Sequence, residues 1–178
     1  VHHSSQHYNL STALRQTWTG EISGSFMFYA WMPLVGFDPL WILTAQSINL
    51  IYQYWIHTEV IRKMPRWFEL IFNTPSHHRV HHANDLQYLD MNFAGMLIVW
   101  DKMFGTFIDE TKAPTYGLTT NISTYNPARI AFSEWGSLAR DVFRTSGILN
   151  KLRYIFAPPG WSPDGSTLTT DEMREEAN

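Results

Sequence analysis

The densest chemistry in the sequence lies in the stretch SHHRVHHAND, residues 76–85, where His77, His78, His81 and His82 hold half of the chain's eight histidines. On an α-helix His78, His81 and His82 stand at i, i+3 and i+4, so their side chains fall within about a 100° arc, with His77 at its edge. Protonated imidazoles crowded in this way repel one another. A metal ion binds the neutral ring through one nitrogen and makes the crowding favourable.

The word recurs at the other end of the sequence, where Val1, His2 and His3 echo Val80, His81 and His82. His57, in WIHTEV, closes an apolar run and is placed to reach the same site from a separate helix. His2, His3, His57, His78, His81 and His82 are more ligands than one structural zinc uses, which points to two ions, with His77 a further candidate. His7 reads as a surface residue. The chain has no cysteine, so nitrogen and oxygen must hold any metal, and an all-imidazole set suits iron, zinc or copper alike. A metal pair beside an apolar segment points to chemistry on a lipid. Attack on unactivated carbon–hydrogen bonds needs an iron-type oxidant, which favours an oxygenase over a hydrolase.

The elements between these clusters must bring them together. From Gly24 to Ile56 the only charged residue is Asp38, in a GFDP turn. The run therefore reads as two apolar pieces. The second, Pro39 to Ile56, would be about 27 Å long as a helix, close to the hydrocarbon thickness of a bilayer. Arg15 precedes the run and Arg62, Lys63 and Arg66 follow it, so a hairpin dipping into or across the membrane would return to the face it left. That return lets residues 2–3 meet residues 78–82. The competing reading is a pair of core helices in a soluble protein.

Beyond the hairpin, NTPS marks a helix start ahead of the histidines. MNFAGMLIVWDKMFGTFIDE reads as a further helix or interfacial segment, KAPTYGLTTNISTYNP as loop, and 128–156 as helical with basic residues. APPGWSPDGS ends the ordered part, before a polar acidic tail over 164–178 expected to be disordered. The 178 residues carry a net charge of −3 with dispersed basic side chains, which argues against nucleic acid as a partner. The expected fold is all-α: a membrane-embedded helical bundle with a histidine-rich di-metal site at the membrane face.

The blocks HxxHH, NFAG and WDKMFGTF resemble the fatty acid hydroxylase and sterol desaturase superfamily. VHHSSQHYNLSTALRQ, NLIYQYWIHTEVI, NTPSHHRVHH, LIVWDKMFGTF, YGLT and PPGWSP are similar to its alkylglycerol-oxidising branch over residues 1–163. The resemblance implies the C-terminal part of a membrane-bound, non-haem di-iron catalytic domain that uses O2 and, in that branch, tetrahydrobiopterin. Its substrate would be an alkyl glycerol, hydroxylated at the ether-linked carbon to a hemiacetal that collapses to a fatty aldehyde and a glycerol compound. It implies that His2 and His3 end the second histidine box and that His78, His81 and His82 form the third. His57 and His77 match further family histidines.

The first box, HxxxH, and the opening histidine of the second are absent from the sequence, so the chain is expected to be a fragment lacking N-terminal helices. Gln6 stands where the family usually has an acid. Asn92 and Asp101 recur in the superfamily pattern, where residues orienting ligand imidazoles are expected. Two alternatives stand beside this reading: another lipid hydroxylase or desaturase of the superfamily, and a non-catalytic membrane protein holding zinc. The host membrane would be endoplasmic reticulum in a eukaryote or the inner membrane in a bacterium.

Overall fold

The computed structural model describes residues 1–17, 19–20 and 23–177. After a 3-10 turn at His2–Ser4, the helices run α1 (Leu10–Ala13), α2 (Met27–Ala30), α3 (Pro39–Ile56), α4 (Arg66–Ile71), α5 (Pro75–His81), α6 (Val99–Phe104), α7 (Pro127–Arg144), α8 (Ile148–Phe156) and α9 (Thr170–Ala177), with a further 3-10 turn at Met32–Val35. Among the described residues there is no strand, only an isolated antiparallel bridge between Ala83 and Tyr116. The all-α expectation holds. Two compact units form, Val1–Asn121 and Ile122–Asn178.

Helix starts follow from the local sequence. Asp38 accepts from Leu40 N at 2.7 Å ahead of Pro39, and Thr74 accepts from His77 N ahead of Pro75. In both, a side-chain acceptor satisfies one orphan backbone donor while proline supplies a preset φ and has no N–H to satisfy. Asn126 does the same for α7, accepting from Ala128 N and Arg129 N ahead of Pro127.

In the first unit α5 lies at the centre, with every residue from Pro75 to Val80 buried. Val80, Ala83 and Tyr88 form a small core, with Met91 and Ile108 packed against it. Hydrogen bonds from two tyrosines join distant segments: Tyr8 donates to the Ile56 carbonyl at 3.0 Å, and Tyr52 to the Asn73 carbonyl at 2.7 Å. Gly95 is required by close packing, because a Cβ there would lie 2.6 Å from Asn49 Oδ1 on α3.

The expected apolar hairpin is only partly realised. Its second piece forms α3 with the bounds read from the sequence. The first breaks into the short α2 and a 3-10 turn, stopped by Gly36 at φ 100°. Among the described residues, no helix is long and apolar enough to cross a membrane. The reason lies in the composition of α3, where Thr44, Gln46, Ser47, Asn49 and Gln53 interrupt the apolar residues. Thr44 and Ser47 turn their hydroxyls back onto the Leu40 and Leu43 carbonyls, hiding part of that polarity. Leu40, Trp41, Leu43, Leu50 and Ile51 remain exposed.

The segment 91–110 is helical only over Val99–Phe104. Its first half is instead a loop pinned by Asn92 and Asp101. Residues 128–156, expected to be helical, form α7 and α8, and the acidic segment beyond 163 contains α9.

Candidate metal centre

Three segments deliver the histidines: the turn at residues 2–4, the end of α3, and α5 with its cap. His2, His57, His78 and His82 each offer a ring nitrogen, all within 4.8 Å of one another, and His3, His81 and His82 form a second such group. His82 belongs to both. The rings of His3 and His82 stack at 4.2 Å with 14° between planes, so the opening turn of the chain and the cap of α5 meet face to face.

His57 is the hub of the first group. Its Nε2 lies 3.0 Å from His2 Nε2, 3.0 Å from His78 Nε2 and 3.1 Å from His82 Nε2. Its Nδ1 lies 2.6 Å from the Gln53 backbone carbonyl. A carbonyl only accepts, so Nδ1 carries the proton and the neutral ring turns a lone pair toward the other three nitrogens. One lone pair satisfies one good donor. The remaining nitrogens therefore face it with lone pairs of their own, an arrangement that repels unless a cation lies between them.

Protonation does not relieve the crowding. Burial, then the charge of neighbouring rings, pushes His2 down to about 4 and His3 to about 3. Burial also lowers His78, His81 and His82, with other histidines adding to the depression at each; at His57 burial lowers the pKa and is partly opposed by its bonds to the Gln53 and Tyr54 backbone. These rings are neutral ligands near neutral pH. His78 Nδ1 is buried with no hydrogen-bond partner, while its Nε2 faces the cluster. The donor set fits iron, and equally any borderline cation that favours imidazole.

His77 lies outside both groups. It points away from the cluster and packs edge-on against Phe107 with ring centroids 5.2 Å apart. One residue of helix rotation, about 100°, separates it from His78. His7 and Gln6 are exposed.

Asn92 and Asp101 hydrogen-bond to the backbone around the site, and the charge of Asp101 partly opposes the lowering of His81 by burial. Asn92, fully buried at φ 55°, donates to the His77 and Ile108 carbonyls at 3.1 and 2.9 Å and accepts from Ile108 N at 2.9 Å. Asp101 accepts from Phe93 N and Ala94 N, both at 2.8 Å, and from Thr106 Oγ1 at 2.6 Å. Together they hold the NFAG loop beneath α5.

Two residues escaped the sequence reading. Arg79, between His78 and Val80, uses all its guanidinium donors: Nε and Nη2 on the Glu110 carboxylate at 2.8 and 2.6 Å, Nη1 on the Thr58 and Ile61 carbonyls, and Nη2 on the Arg62 carbonyl. It ties α5 to the chain leaving His57. A cation inside a histidine run was the available signal. Tyr8 is buried beside the cluster, with its ring 5.2 Å from His82 and 5.6 Å from His57, and nothing local in the sequence marks it.

A cavity of about 330 Å3 adjoins the first group, lined by His2, His57, Leu14, Leu50, Ile51 and Tyr54 among others. Its size is at the lower end for small-molecule sites, and its walls are largely apolar.

The sequence model of the fatty acid hydroxylase family matches residues 1–106, which include every histidine of both groups. Among curated proteins, the chain is 46% identical over 173 residues to alkylglycerol monooxygenase of Homo sapiens, covering 97% of this chain and 38% of that protein. The Danio rerio protein of the same name is 46% identical over 92% of this chain and 36% of its own length. The Caenorhabditis elegans one is 37% identical, over 92% and 34% respectively. The chain thus spans little more than a third of these relatives. No solved structure matches it. With the histidine groups lying inside the matched region and converging in space, the chain belongs to the fatty acid hydroxylase family.

Proposed function

We propose that the protein containing this chain is a membrane-bound, O2-dependent monooxygenase that hydroxylates the ether-linked carbon of alkyl glycerols. Residues 1–163 would be the C-terminal part of its catalytic domain. The observation that carries the reading is the convergence of the His2, His78 and His82 nitrogens on His57 Nε2 within 3.1 Å, in a chain similar to named alkylglycerol monooxygenases. His2, His57, His78 and His82 would hold one iron, and His3, His81 and His82 a second. His77 is assigned to packing.

Bound iron would supply the activation of O2 and the oxidising power that a carbon–hydrogen bond requires, with tetrahydrobiopterin as the electron source. The chain's own residues hold and orient. The Gln53 carbonyl fixes the proton of His57 on Nδ1 and aims Nε2 inward. Tyr8 covers the cluster from the side of α1 and, through Ile56, anchors the end of α3. Leu14, Leu50 and Ile51 offer an apolar wall beside His2 and His57, suited to an alkyl chain. Hydroxylation there yields a hemiacetal, which breaks to a fatty aldehyde and a glycerol compound.

The test is tetrahydrobiopterin-dependent release of fatty aldehyde from an alkyl glycerol by the full-length protein, with two irons per chain. Oxidation of other lipids without the pterin moves the assignment to a different branch of the family. About one zinc and no iron ends the oxidative reading.

A further inference from the structure

Helices α7 and α8 pack against one another and expose apolar faces that the metal centre does not use. On α8, Ile148, Leu149, Leu152, Ile155 and Phe156 are 74%, 59%, 45%, 51% and 80% exposed. At about 100° per residue these five fall within an arc of roughly 120°. Lys151 and Arg153 lie just beyond its two edges, and α8 carries no acid. On α7, Phe132, Trp135, Leu138 and Phe143 are exposed and share one half of the helix, while Arg129, Arg140 and Arg144 share the other. Across residues 127–156 five cations face two acids, Glu134 and Asp141.

We propose that α7 and α8 lie flat on a bilayer surface containing anionic phospholipid, with the face of α8 formed by Leu152 and its neighbours inserted at the headgroup boundary. An apolar strip edged on both sides by cations matches a surface with apolar depth and anionic headgroups at its rim, which is the pattern of an interfacial helix. A soluble protein partner offers no such layered chemistry along the whole strip. The inference does not depend on the oxidative reading of the first unit.

The chain has no cysteine, so a single introduced one reports its own site. Leu152→Cys and Asn150→Cys, each carrying an environment-sensitive fluorophore, are to be made in the full-length protein and transferred from mild detergent to vesicles. On vesicles of equal parts phosphatidylcholine and phosphatidylglycerol, the label at 152 should shift to the blue and brighten several-fold while the label at 150 stays unchanged. Quenching by brominated acyl chains should follow the same order. Replacing Lys151 and Arg153 by Glu should weaken the response at 152 by at least about tenfold, with helical circular dichroism retained. Equal responses at 150 and 152, no response on either label, or a shift at 152 that follows protein concentration without vesicles would overturn the proposal, the last by showing that a second copy covers the face.

Discussion

His57 Nδ1 sits 2.6 Å from the backbone carbonyl of Gln53, one helical turn earlier on α3. The acceptor belongs to the helix itself, so the imidazole is held by the end of α3 and its Nε2 is offered as a lone pair where three other histidines meet. Replacing His57 by Ala should therefore remove the centre of the first group while leaving α3 folded. Metal analysis of the purified full-length variant should show most of one ion's iron lost, with helical content unchanged.

His82 and His77 make a contrasting pair. Because His82 belongs to both groups and His77 to neither, His82→Ala should deplete iron across the whole site, and His77→Ala should leave iron content near wild type. The His77 change should instead lower stability by about 1–3 kcal/mol through lost packing on Phe107. Iron analysis paired with thermal unfolding separates the two effects.

Arg79 and Glu110 form a buried ion pair at 2.6 Å, with side chains 6% and 15% exposed. Arg79→Ala leaves the Glu110 carboxylate and the Thr58, Ile61 and Arg62 carbonyls without their donor, so it should cost about 3–5 kcal/mol. Arg79→Lys should recover only part of this, since an ammonium cannot span both carboxylate oxygens and three carbonyls. Denaturant unfolding of the two variants tests the order; equal stability of Lys and Arg forms would remove the clamp from the account.

Asp101 offers a further check, because its carboxylate satisfies two backbone donors of the NFAG loop. Asp101→Ala should cost about 1–3 kcal/mol for each donor left buried and unpaired. Asp101→Asn, which keeps one oxygen, should cost less. The comparison reads out in the unfolding midpoint.

Stripping metal with a chelator should lower the unfolding temperature, because lone pairs crowded around His57 Nε2 are left without a cation. Restoring Fe(II) at a hundredfold excess over its dissociation constant should return about 2.7 kcal/mol. An unchanged midpoint on chelation would mean that the cluster folds without an ion.

The sequence by itself determined the ligand types, the start of α5 and the bounds of α3. These rest on local chemistry: Thr74 supplies a cap acceptor and Pro75 a preset φ at a helix start, and three- and four-residue spacing aligns His78, His81 and His82 on any helix. It also put the family within reach, since the histidine boxes are short and ordered. Tertiary structure alone decided that His57 is the hub, that His77 faces Phe107, and that Arg79 and Tyr8 support the cluster. Those outcomes depend on contacts between segments far apart in the chain, whose relative rotation no local periodicity encodes. The first half of the apolar hairpin differs, because Pro33 and Gly36, both local to it, break the helix that apolar composition suggested.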